Sequence, residues 1–270
     1  MKRFAVAALL LAVATGCATS PTGRSQLMLI SPEAAIVESK KAYLSTVSEL
    51  DAENKLVDDP RLADKVATIT GRLVTEAIAM YPKSADWEWS VAIIDDPETV
   101  NAWCMAGGRM AVYTGLFEKL KLTDDEFAQI MGHEISHALA NHTAERMSRA
   151  MATTLGVIAV GAASDHTGAA MMGAAAAAKV ALELPNSRTA ESEADRIGIE
   201  LATRAGYDPD AAATLWQKMA KVGGNGPPEF MSTHPAPANR EAALTAAAPE
   251  MRQLNPTGQL AAIHPVEIVR

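Results

Sequence analysis

The chain has 270 residues, of which 49% are apolar and only 4% aromatic, enough length for a real core and a composition weighted toward helix over an all-β fold. Its 24 basic residues face 32 acidic ones, a formal net charge of −8, which argues against nucleic acid as a partner. Its two cysteines, Cys17 and Cys104, exclude a disulfide framework and a cysteine-rich metal centre.

Residues 1–16 read as a secretory leader: Lys2 and Arg3, an apolar run from Phe4 to Val13, then small residues. The run is short for a membrane span. The "ATGC" that follows is similar to a bacterial lipobox, with Ala14 where leucine is usual. Cys17 is therefore the expected lipidation site, and its acyl chains the expected membrane anchor. Ala18, in place of an aspartate, points to the outer membrane and a periplasm-facing location.

Residues 17–30 are expected to be a tether and N-terminal arm, 31–250 the main domain, and 251–270 a loose tail. Ser31-Pro32-Glu33 and Asp59-Pro60 both read as helix starts, a capping side chain followed by proline. Leu62, Val66, Ile69, Leu73, Ala77 and Met80 then mark one helical face. Trp87, Trp89, Val91 and Ile93 alternate as in a strand. "NAWCM", a Gly107-Gly108 turn and "RMAVYT" complete a small sheet, with Cys104 as a small apolar strand residue.

Thr123 and Glu126 form a T-x-x-E capping box, and Phe127, Ile130, Met131, Ile135 and Ala138 continue at helical spacing. "GHEISHALANH", three histidines and a glutamate in eleven residues, lies on that helix. His133 and His137 are i and i+4, so both imidazoles can converge on one ion. Glu134 adjoins the first ligand and reaches a water beside the metal, the arrangement of a zinc protease. Five residues past His137, His142 lies about 140° round the helix from it, so it is expected at the surface or behind the ligands.

The apolar stretch 150–184 reads as two packed core helices joined by a turn; the alternative is a mobile or membrane-contacting hairpin, which could act as a lid. A helix capped near Asn186 or Ser187 and stopped at Gly206 carries "AESEAD". Glu191 and Asp195 share a face there; one carboxylate can bind the ion and the other can hold a ligating imidazole, whereas Glu193 points elsewhere. Asp208-Pro209 begins another helix, and "GGNGPPEFMSTHPAPANR" is a loop carrying His234, after which Pro235 and Pro237 seed a short helix.

"HEISHALANHTAER" with "SRTAESEADRIG" resembles the gluzincin metallopeptidases of the CAAX-prenyl-protease type, metallopeptidase family 48, and more closely their soluble bacterial lipoprotein and mitochondrial Oma-type branch. "TGRSQL", "NAWCMAGGRMAVYTGLF" and "STHPAPANR" stand in the family's order, and the resemblance covers about residues 21 to 245. Met105-Ala106 depart from the apolar residue and proline that relatives carry before the Gly-Gly turn.

The resemblance implies a mainly α-helical α+β gluzincin fold, with an HExxH helix, an ExxxD helix and a small β-sheet beside the active site. It implies one Zn2+ per chain on His133, His137 and Glu191, Glu134 as general base, and Asp195 orienting a ligand histidine. His234 becomes the candidate oxyanion stabiliser, with Arg240 beside it. "RMAVYT" (Arg109, Met110, Ala111, Val112 and Tyr113) is the expected edge strand for an extended peptide. The flexible run before His234 suggests a second role, in which His234 swings in and closes the open metal position. The implied activity is peptide-bond hydrolysis in misfolded or unassembled envelope proteins. The alternative is a chaperone-like lipoprotein that holds unfolded outer-membrane proteins over a latent site. The oligomeric state is left open.

Overall fold

A computed structural model describes residues 17–163, 184–222, 228–234 and 239–270. The expected leader and residues 164–183 of the apolar stretch lie outside the described residues. The chain opens as a hairpin, β1 (Cys17–Thr19) against β2 (Ser25–Leu27), so the arm is ordered from its first described residue.

Two long helices follow where the capping residues place them. Helix α1 (Pro32–Ala52) is capped by the Ser31 hydroxyl, which accepts from the Ala34 amide at 3.1 Å. Helix α2 (Pro60–Met80) is capped by Asp59 and buries Val66, Ile69, Leu73 and Ala77 in one stripe.

The sheet differs from expectation in three ways. It contains β3 (Ser90–Ile94), β4 (Ala102–Met105), β5 (Arg109–Tyr113) and β6 (Glu267–Val269), in the order β4-β5-β3-β6. Trp87 and Trp89 precede β3: the Trp89 indole donates to the Ser84 carbonyl at 3.0 Å and packs on the short 3-10 turn Pro82–Asp86. All five β3 residues are buried, because the strand is covered on both faces and paired at both edges.

Strand β5 is interior, antiparallel to β4 and parallel to β3. Arg109, Met110, Ala111, Val112 and Tyr113 therefore have no free main-chain edge to offer a peptide, and the edge nearest the site is β4. The third difference is the tail. Residues 251–270 are not loose: the His264 amide donates to the Gly71 carbonyl at 3.0 Å, and β6 covers the edge of β3 that β5 leaves open.

After α3 (Thr114–Leu120), helix α4 (Asp124–Leu139) starts at the Thr123/Glu126 capping box and carries the HExxH motif. Every residue from Glu126 to Leu139 is buried, so this helix is the axis of the domain, beyond an amphipathic surface helix.

Helix α5 (His142–Ala163) runs into the apolar stretch, and there Met151, Leu155 and Ile158 are 45%, 39% and 56% exposed. That part of the stretch is a solvent-facing apolar helix, not a core helix. Helix α6 (Leu184–Arg204) begins before the expected caps Asn186 and Ser187, and the chain leaves it through Gly206 at φ +98°. Helix α7 (Ala211–Val222), a short α8 (Glu229–Thr233) inside the expected loop, and α9 (Arg240–Arg252) complete the domain.

Helices α4 and α6 cross at Gly132 and Gly198. A Cβ on Gly198 would lie 2.8 Å from the His133 nitrogen, and one on Gly132 would lie 2.8 Å from the Gly198 carbonyl oxygen. Only glycine at this crossing lets the two backbones approach so closely. The approach brings the carboxylates of α6 within reach of the histidines of α4.

Candidate active site

His133 and His137 project from one face of α4, and Glu191 meets them from α6. Their edges measure 3.1 Å between the two Nε2 atoms, 3.3 Å from His133 Nε2 to Glu191 Oε2, and 3.5 Å from His137 Nε2 to Glu191 Oε1. His234, at the end of α8, adds Nδ1 at 3.3 Å from His133 Nε2 and 3.2 Å from Glu191 Oε2. A tetrahedral zinc with bonds of about 2.0–2.1 Å spaces its ligand atoms about 3.3 Å apart. Four buried donors at these separations, all within 4.8 Å of one another, form a cluster able to hold a single Zn2+.

The electrostatics agree with that fit. Burial acts to raise the Glu191 carboxyl, but contacts with His133 and His234 overcome it and hold the group far below its usual value. Burial acts to lower His133, yet the carboxylates of Asp195 and Glu191 raise it to about 9. His137 is pushed well below its usual value by burial and by the charge of its imidazole neighbours. Without metal the cluster thus retains a proton that a bound cation would expel.

Glu134 is buried on the same helix. Its Oε1 lies 3.4 Å from His234 Nε2 and has no hydrogen-bond partner among the described residues. Burial raises its pKa, the direction that makes a carboxylate a better proton acceptor at neutral pH.

Each side of the cluster is braced. His133 Nδ1 lies 3.0 Å from Asp195 Oδ1, at ion-pair distance but without hydrogen-bond alignment. Arg240 forks onto Asp195 at 2.6 and 2.7 Å, reaches Glu191 at 3.0 Å and the His234 carbonyl at 3.3 Å, and stacks 4.0 Å over the Trp216 ring. Expected as an oxyanion partner, Arg240 instead has its donors directed at carboxylates and a carbonyl, and it supports the ligands.

His142 is buried behind His137, with its Nδ1 2.8 Å from His137 Nδ1. Glu193, Glu145 and Arg24 stand behind it. The sequence assigns none of these three to the site, although each lies in a motif that carries the resemblance: Arg24 in "TGRSQL", Glu145 in "HEISHALANHTAER" and Glu193 in "AESEAD". Cys104 is a buried strand residue whose thiol pKa is raised by burial, far from a reactive thiolate.

An HExxH helix and a glutamate from a second helix, around one metal position, define a gluzincin-type centre. The sequence profile of peptidase family M48 matches residues 60–248. The metalloendopeptidase OMA1 of Bos taurus mitochondria is 30% identical over 248 residues, covering 87% of this chain and 46% of that protein. The mitochondrial metalloendopeptidase OMA1 of Arabidopsis thaliana is 37% identical over 163 residues, 59% of this chain and 31% of the relative. The β-barrel assembly-enhancing protease of Escherichia coli K12 is 31% identical over 218 residues, 77% of this chain and 43% of the relative. The chain belongs to peptidase family M48, with its similarity to the OMA1 and β-barrel assembly-enhancing branch. It spans less than half the length of each of these three relatives.

Proposed function

We propose that this chain is a zinc-dependent endopeptidase of the bacterial cell envelope that cuts misfolded or unassembled envelope proteins, anchored through lipid on Cys17. The observation that carries the reading is the buried His133, His137 and Glu191 set with the unpartnered Glu134 Oε1 beside it. A zinc ion held there supplies Lewis acidity to the attacking water and to the scissile carbonyl. Glu134 accepts the water's proton at Oε1 and returns it to the leaving amine. Asp195 fixes the ring of His133, and Arg240 holds Asp195 and Glu191 in place.

An extended peptide would add along β4, whose outward carbonyls continue the sheet. In the described conformation a short segment contacts the chain just before that strand. The Phe230 amide donates to the Val100 carbonyl at 3.1 Å, and Asn101 Nδ2 donates to Glu229 Oε1 at 3.0 Å. Phe230 stacks on His234, which fills the fourth corner of the metal site. One short segment thus holds the chain just before β4 and fills the open coordination position. His234 acts as a resting cap, and an oxyanion role would require it to swing away first. The cap also favours a second reading, a holding lipoprotein whose cleavage site stays latent. The lipobox-like "ATGC" and the relative named for β-barrel assembly support envelope proteins as the substrate class.

The deciding experiment compares parent and Glu134→Gln protein for zinc content and for cleavage of unfolded casein. One zinc in both, with cleavage only in the parent, is the expected result. Equal cleavage in both would refute Glu134 as the base, and absence of zinc from the parent would refute the ligand set.

A further inference from the structure

His137 faces the metal cluster with Nε2, so its other nitrogen is free to be positioned. That Nδ1 meets His142 Nδ1 at 2.8 Å, and His142 Nε2 meets Glu193 Oε2 at 3.1 Å. Glu193 in turn accepts from Thr22 Oγ1 at 2.6 Å and from Arg24 Nε at 2.9 Å. The Arg24 guanidinium also forks onto Glu145 at 2.8 and 2.7 Å. Gln26 Nε2 donates to Glu145 Oε2 at 2.9 Å and to the Ala140 carbonyl, at the end of α4, at 2.8 Å. His142, Glu145 and Glu193 are all buried.

One proton arrangement satisfies every link. A neutral His137 that binds metal through Nε2 carries its proton on Nδ1 and donates it to His142 Nδ1. His142 then carries its own proton on Nε2 and donates to the Glu193 carboxylate, whose charge Arg24 balances. The arrangement mirrors the other ligand, where Asp195 backs His133 and Arg240 balances Asp195. On α6, Glu191, Glu193 and Asp195 thus serve the site from two faces of one helix. The difference lies in the source of the arginine: Arg240 belongs to the domain, whereas Arg24 belongs to the N-terminal hairpin.

We propose that His142 and Glu193 are positioning residues for His137, and that the hairpin, through Arg24, holds this relay and thereby sets the metal affinity of the site. The proposal rests on the metal-centre reading above. A buried ion cluster that merely staples the hairpin to α5 and α6 would stabilise the fold without any selective effect on metal.

The test is zinc affinity, measured by chelator competition on the folded full chain, with thermal unfolding of the zinc-free proteins as the folding control. His142→Ala is expected to weaken zinc binding about 10- to 100-fold, the usual cost of removing a partner behind a ligand. His142→Asn, which keeps an acceptor for His137, is expected to recover most of that loss. Arg24→Ala is expected to weaken zinc several-fold in the parent and to add nothing in the His142→Ala background, because both act through one chain of contacts. If His142→Ala fails to fold, Glu193→Gln reads the same link through the visible absorption of bound Co2+, which should shift.

A folded His142→Ala protein with parental zinc affinity overturns the proposal. So does an Arg24→Ala loss of equal size in both backgrounds, or a Glu193→Gln protein with parental Co2+ bands and zinc affinity. A parent that binds zinc beside indifferent variants defeats the relay alone; a parent that binds none defeats the metal centre and the relay together.

Discussion

Gly198→Ala isolates the crossing of α4 and α6 from the chemistry it supports. The added methyl would stand 2.8 Å from the His133 nitrogen and 2.9 Å from its Cα. Carbon contacts settle at about 3.5–4.0 Å, so the helices must part by about 0.7 Å. These are backbone atoms inside two helices, and no flexible side chain can absorb the shift. Glu191 and Asp195 ride on α6, so their carboxylates would withdraw from His133 and His137 by up to that amount, and the donor set that would hold a metal loosens.

Alanine gains about 1 kcal/mol over glycine in a helix interior. Overpacking costs about 1–3 kcal/mol, so the net destabilisation is at most about 2 kcal/mol and the protein stays folded. Misplacement of about an ångström at a reacting centre costs about 100-fold. The assay pairs zinc affinity and casein cleavage with the unfolding midpoint, using Gly156→Ala as a control because a methyl there meets nothing within 4 Å among the described residues. A Gly198→Ala protein with parental zinc affinity and cleavage would refute the claim that this close approach builds the site.

Replacing His234 with alanine is expected to raise casein cleavage. A cap held by about 1.4 kcal/mol leaves the site open about a tenth of the time, so the gain is about ten-fold, and a large loss of activity would restore the oxyanion role. Acid should loosen the hairpin. The Glu145 carboxyl, with burial opposed by Arg24, Arg149 and Gln26, is lowered to about 2. A depressed folded-state pKa means stability that is fully present above the usual value of 4.5 and is lost as pH falls toward 2. In zinc-free protein, Glu145→Gln should therefore flatten the fall in stability across that window by at most about 3 kcal/mol. Parallel curves for variant and parent, from chemical unfolding at each pH, would contradict the assignment.

Local signals were legible in the sequence and non-local ones were not. Ser31, Asp59 and the Thr123/Glu126 box announce three helix starts because each satisfies amides within its own turn. The i, i+4 spacing of His133 and His137 survives for the same reason. The order of strands in the sheet carries no such local mark, so β5 read as an edge although β3 and β4 flank it. Strand β6 is three residues long and gains its meaning only from β3. Trp87 and Trp89 alternate as strand residues do, yet what places them is the turn at Ser84. His142 stands off the ligand face as expected, but not by the helical angle: α4 ends at Leu139, Asn141 takes φ +56° and His142 opens α5, and its role depends on Glu193, 51 residues away, and on Arg24 beyond that. Buried carboxylates held by distant cations leave no period to read.

The four donors around the metal position come from α4, α6 and the end of α8, the first and last separated by 101 residues of chain. A chain emerging from its amino end therefore displays the HExxH helix long before it can assemble a competent centre. His234 arrives last of the four, followed by Arg240 and then the strand that closes the sheet edge. A nascent chain that ends before α6 holds the HExxH helix without its third ligand, and in the proposed reading the residue that completes the metal's shell also shuts it.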